Sequence, residues 1–349
     1  MLHPHVNKTP YCVIINYSKH IQGDNNMIEQ TRQHADTFIA NFKSAQELCQ
    51  WAGDRYAATM AVMLIGDEKP MPADRLSQAQ QIIKDNKGVF SEFRSGYARK
   101  VAVSAVAMSD DPEQALTDLG TIKKMLKPGM FSTFMYDVTA CIIQTSTKPE
   151  DYELVVDRTM ELFGAVIKKH SIIGSEGELA DCAVIAKTDK DTAHTSEEQE
   201  ECYKEVIKFN GKGSDSLHAA AAMTLFGGGT DIRAEKVKGL KETQKADKFK
   251  FTYDGIGMTA LLAGLYGDHP ADIIAEMKEV SEELKAAKGM GGWTISDGTR
   301  NLIAAGITVA ARTDDPVYTL FAKQFILNVI CSQMQSDDST AATVTTTMM

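Results

Sequence analysis

The feature that most constrains this chain is a helix-start signal that recurs at a nearly fixed step. Asp111-Pro112, Lys148-Pro149, Asp268-His269-Pro270 and Asp315-Pro316 each place a proline where the first turn of a helix has no use for the missing N–H. The aspartates before Pro112 and Pro316 can accept from the free N–H groups of that turn, and Gln114 stands where a capping-box partner would. Two further starts lack proline: Ser196 with Gln199 fits a capping box, and Thr230 or Asp231 follows the breaker Gly227-Gly228-Gly229. The steps from Pro112 to Pro149, Asp231 to Pro270 and Pro270 to Pro316 are 37, 39 and 46 residues, and starts near Pro72 and Ser196 fit between them. A period of about 40 residues is a helical hairpin of the HEAT or armadillo size class, longer than a tetratricopeptide unit of about 34.

Each unit joins two unlike helices. The first carries apolar residues at helical spacing, as in Ile273, Met277, Val280, Leu284 and Ala287, or Leu116, Leu119, Ile122 and Leu126, and so buries one face. The second is rich in small residues, as in Ala102, Ala105 and Ala107, Ala180, Ala183 and Ala186, or Ala219 to Ala222, which suits a helix crowded on several sides. The pattern predicts a long helix over 24–50, a short one after Asp54, then pairs beginning near Pro72, Pro112, Pro149, Ser196, Asp231 and Pro270, and a last helix from Pro316 to about Met334. The fold class is therefore all-α, an array of antiparallel helical hairpins forming an α/α superhelix, with a closed α/α toroid as the alternative. Residues 1–23 are expected to be partly ordered, 24–334 to form the helical-repeat domain, and 335–349, rich in Ser, Asp and Thr, to be a disordered tail. Phe249, Phe251 and Tyr253 alternate in a strand-like way but have no partner run, and read as an extended connection.

Charge and cysteine usage narrow the function classes. With 37 basic against 47 acidic side chains, the net charge of −10 opposes a phosphate backbone and argues against a nucleic-acid binder. The apolar run from Tyr11 to Tyr17 is too short for a signal-peptide core, and nothing approaches the roughly 18 apolar residues of a membrane-spanning helix. Six scattered cysteines without a Cys-x-x-Cys pair suggest neither a zinc site nor a disulfide framework. The expectation is a cytoplasmic protein that needs no metal or other cofactor.

Val89-Phe90-Ser91-Glu92-Phe93-Arg94 after an amphipathic helix, the Asp110-Asp111-Pro112 start, and Gly292-Trp293-Thr294 before an arginine-bearing helix carry a family likeness. On these residues the chain resembles the bacterial domain-of-unknown-function family 4003 over roughly residues 24–312. The resemblance implies an all-helical bacterial protein; it brings no catalytic residues with it.

Candidate chemistry is sparse. Asp110-Asp111 and Asp314-Asp315 sit before prolines at one phase of the repeat, with no further acid at the spacing magnesium-diphosphate sites use, and read as caps. The segments Gly211 to Ser214, Gly227 to Gly229 and Gly289 to Gly292 fit no phosphate-loop pattern and read as helix stops. Lys238, Lys241, Lys245 and Lys248 fall at helical spacing and would form one basic stripe, either a solvated face or a contact for an acidic partner. Among the dispersed histidines, His218 stands out because it lies in the alanine-rich Leu217 to Ala222 segment, where a polar ring must find a partner. Arg55, Arg94, Arg99 and Arg300 stand near the starts of second helices, the last close to Trp293. They either project into a concave surface or bridge successive hairpins through loop carbonyls.

No linear catalytic constellation emerges. The reading is a protein- or peptide-binding scaffold whose partner is an acidic peptide or protein, with Arg94, Arg99, His218, Trp293 and Arg300 as ligand-binding candidates. The alternative is an enzyme whose active site lies in the cavity of an α/α toroid.

Overall fold

The computed structural model describes residues 24–49, 53–86, 96–127, 129, 133–252, 255–292 and 294–347. Among the described residues the α-helices fall into seven hairpins and one further helix. The hairpins are α1 (Asp24–Leu48) with α2 (Asp54–Met63), α3 (Ala73–Asp85) with α4 (Gly96–Met108), α5 (Pro112–Met125) with α6 (Met135–Ser146), and α7 (Tyr152–Lys169) with α8 (Gly177–Ile185). They continue with α9 (Thr192–Asn210) and α10 (Ser214–Met223), α11 (Thr230–Ala246) and α12 (Ile256–Tyr266), and α13 (Pro270–Ala286) and α14 (Asp297–Arg312), before α15 (Pro316–Thr347). No strand occurs among the described residues.

The proline starts hold where read. Pro112, Pro270 and Pro316 open α5, α13 and α15, and Pro149 opens a 3-10 turn that leads into α7. Asp111 Oδ1 accepts from Gln114 N at 3.0 Å and Asp315 Oδ1 from Val317 N at 2.9 Å, caps of the kind that each contribute about 1 kcal/mol. Gln114 does not complete a capping box, because its amide donates forward to Asp118. The start at Ser196 needs correction: α9 begins four residues earlier, where Asp191 accepts from His194 N at 2.9 Å, because Asp is as good a cap as Ser and no breaker separates the two positions.

The second helix of every hairpin packs on the second helix of the next, from α2 through α4, α6, α8, α10 and α12 to α14. The first helices pack successively outside them. The array then closes, since α1 lies against both α13 and α14. Thr31 on α1 donates to Glu276 on α13, and Arg312 at the end of α14 meets the same carboxylate at 2.5 Å. Closure settles the topology in favour of the toroidal form of the hairpin array.

The ring is not hollow. Helix α15 packs against α2, α6, α8, α12 and α14, and its residues from Leu320 to Cys331 are buried except for half-buried Lys323. A helix apolar on all sides has to be surrounded, and the middle of a ring is the place that surrounds it. Gly306 on α14 and Gly257 on α12 make room: a Cβ at either would lie 2.5 Å from the side chain of Ile326 or Phe325. Past Met334 the helix runs on to Thr347, and no glycine or proline follows Pro316 to stop it.

Because each hairpin runs outer helix first, all inner helices begin at one end of the ring and all outer helices at the other. Central α15 enters at the outer-start end and leaves at the inner-start end, where Arg55 of α2 pairs with Asp337 and Gln333 donates to Thr252 at 2.9 Å.

Candidate functional site

At the outer-start end, cations hold carbonyls at and just past the ends of the inner helices, within a hairpin or between neighbours. Arg75 on α3 donates to Ser109 O after α4, Arg158 on α7 to Thr188 O at 2.8 Å, and Lys187 to Ser146 O. Arg233 on α11 reaches Phe226 O at 2.9 Å while pairing with Glu198 at 2.7 Å. The carbonyls served are those an inner helix leaves unpaired at its last turn. Conversion of any of them into a ligand site would uncap a helix.

The arginine candidates divide along the same line. Arg300 is buried and fully used: it meets Asp297 at 2.6 Å and Ser281 Oγ and Met290 O at 3.3 Å each, bridging α13, α14 and the loop between them. Arg55 donates to Thr294 O at 2.8 Å, besides its pair with Asp337. Arg99 is exposed on α4, at the rim of a cavity between α2, α3 and α4. Arg94 and Trp293 lie outside the described residues. Arg99 and Arg300 are on α4 and α14, with α2 between them in ring order, so the two do not share one groove.

The basic stripe is partly tied: Lys238 and Lys241 have partners, while Lys245 and Lys248 enter no ion pair among the described residues. Lys238 pairs with Glu235, Lys236 with Asp268, and Lys241 donates to Asn210. Its neighbour Arg233 is buried rather than presented.

His218 belongs to the polar heart of the ring. From α10 its Nδ1 faces Asp181 Oδ2 of α8 at 2.5 Å, and its ring stands edge-on to Phe325 of α15 at 5.7 Å. Gln324 of α15 donates to the other oxygen of Asp181, and Asn328, one turn on, comes to 3.5 Å of His218 Nε2. Glu178, one turn before Asp181, lies 3.9 Å from Nε2 and accepts from Ser175 N, Ser175 Oγ and Ser214 Oγ. Three helices are thereby joined by one network, and all three charged members are buried. Burial by itself would lower the pKa of His218, but the charges of Asp181 and Glu178, with Asp215 further off, outweigh it and push the imidazole up to about 9. Burial pushes the Asp181 carboxyl up, against the pull of His218. The cluster is thus an imidazolium held by carboxylates.

Sequence reading found His218 but missed Asp181, Glu178, Gln324 and Asn328. The signal was there in a form that motif searches ignore: Glu178 and Asp181 are three apart, and Gln324 and Asn328 four apart, inside helices otherwise apolar on every side. Polar residues on one stripe of a wholly buried helix must meet polar residues elsewhere.

The five described cysteines are buried and free, and burial raises each thiol above its usual range, so none is poised as a thiolate nucleophile. Among the described residues, no group of three or more His, Cys, Asp or Glu is arranged to hold a metal ion, and no helix is long and apolar enough to cross a membrane.

A family profile described as a protein of unknown function (DUF4003) matches residues 41–336 of the chain. No curated protein and no solved structure matches it.

Proposed function

We propose that the chain, which belongs to the DUF4003 family of proteins of unknown function, is a binding protein that engages a protein or acidic peptide partner at the inner-start end of its ring. The observation that carries this reading is the central helix: α15 occupies the space in which a toroidal enzyme would hold its substrate. What the ring offers to a partner is its surface, and a closed ring around a buried helix is a rigid one. The inner-start end is favoured because α15 emerges there and because Lys84, Arg99 and Lys100 line a cavity beside it. An enzymatic reading has one observation on its side, the His218–Asp181 pair with Glu178 nearby. That pair lies under α15, with His218 6% exposed and both carboxylates fully buried, which presents little of it to a substrate.

The test is a photo-crosslinking residue placed at exposed Gln335, where α15 leaves the ring, and in a second protein at exposed Glu113, at the start of α5 on the opposite end. Discrete cross-linked partners from the Gln335 position alone, fewer at high salt, are expected. Equal capture from both ends would overturn the reading.

A further inference from the structure

The cavity between α2, α3 and α4 has a volume of about 230 Å³. Its walls are apolar at depth, where Ile83 and Val103 are both buried, and Tyr56 closes one side. Among the described residues its charged lining consists of Lys84, Arg99 and Lys100, with no carboxylate. In a chain of net charge −10 this is an uncompensated group of cations, repelling one another in one small space.

Arg75, Arg158, Lys187, Arg233, Arg300 and Arg312 are each tied to a carbonyl or a carboxylate. Among the described residues, Lys84 and Arg99 enter no ion pair or hydrogen bond. Lys245 and Lys248 also enter no ion pair among the described residues; what sets Lys84, Arg99 and Lys100 apart is that they converge on one cavity. Lys100 has the Cys49 thiol as its described neighbour, a weak partner whose burial keeps it protonated. Helix α4, like α12, carries no acid in its first turn.

We propose that this cavity is the docking site for an acidic peptide segment, one apolar side chain of which enters between Ile83, Val103 and Tyr56 while flanking carboxylates meet Lys84, Arg99 and Lys100. The inference rests on the reading of the protein as a binding protein and specifies where, and by what chemistry, its partner is held. The volume suits it: it is below the range of about 300–1,000 Å³ that encloses a drug-sized molecule, and ample for one leucine or phenylalanine side chain. Exposure suits it too, since Lys84 and Arg99 stand at the mouth and can reach carboxylates lying across the surface.

The experiment uses a fluorophore-labelled Glu-Glu-Phe-Glu-Glu peptide and fluorescence anisotropy with the full chain. Binding is expected to weaken as salt is raised, and the K84Q/R99Q double variant should lose affinity about tenfold with its melting temperature unchanged, because both positions are exposed. Peptides with Gln for Glu, or Ala for Phe, should bind correspondingly less well. Equal affinity of the acidic and Gln peptides, or no binding by the native chain, would overturn the ligand class; undiminished binding by the double variant would overturn the site. A cellular partner that cross-links to the native chain and the double variant alike would remove this cavity and leave the binding-protein reading standing. Peptide binding that depends on Arg99 in a protein that captures no partner would do the opposite.

Discussion

At the scale of the residue, His218 shows how a buried group gains its properties from what is set around it. Alone in an apolar core an imidazole would be neutral; beside Asp181 and Glu178 it is held protonated, with a pKa pushed up to about 9 against an ordinary value near 6.5. A histidine whose folded pKa lies above its unfolded one stabilises the fold fully below about pH 6.5, and that contribution is lost as the pH rises through about 9. On that interval the native chain should lose on the order of 3 kcal/mol of unfolding free energy, measured by denaturant titration at pH 6 and pH 9.5. His218→Gln should flatten the dependence. Ring resonances of His218 that titrate with a midpoint at or below 6.5 would refute the argument without recourse to a variant. The predicted arginine site fares differently by residue: Arg300 is consumed by bridging α13 and α14, while Arg99 stands at the surface with no partner among the described residues.

At the scale of the element, α15 is the helix whose surroundings decide its character. Its apolar residues from Leu320 to Ile330 leave no solvent-facing stripe, yet it carries Gln324 and Asn328, which would be costly in lipid or in a featureless core. The cost is offset because those side chains meet Asp181 and His218. Its close seating relies on missing atoms as much as on present ones. Gly257→Ala should improve the helix propensity of α12 by up to about 1 kcal/mol and yet destabilise the protein by a net 1–2 kcal/mol or so, because the new methyl meets the Phe325 ring and the His218 Cβ. Thermal unfolding decides it: a variant more stable than the native chain would mean that α15 shifts freely, and that it is not wedged in the ring.

At the scale of the whole molecule, the ring depends on a seam between residues nearly 300 apart in the chain. Thr31, Glu276 and Arg312 bring α1, α13 and α14 together, with Arg312 also 5.8 Å over the Tyr266 ring. Glu276→Gln leaves the Arg312 cation without its carboxylate in a site that is mostly buried. It should cost about 2 kcal/mol and raise hydrogen exchange selectively in α1, α13 and α14. Exchange that rises evenly through the ring would show that the seam is not where closure is held. The proline helix starts and the division into amphipathic outer and alanine-rich inner helices were legible in the sequence, since caps, prolines and apolar periodicity act within a few residues of themselves. Whether hairpins of that kind spiral or close was not legible. It follows from small crossing angles accumulated over seven units, and from α15, whose place in the centre no local pattern encodes. The charge state of His218 and the idleness of Arg99 were undecidable for the same reason: each is set by groups from other hairpins. The sequence by itself determined what the helices are and which faces they bury; the tertiary structure alone decided that they close around one of their own, because closure is a sum of contacts between residues that are distant in the chain.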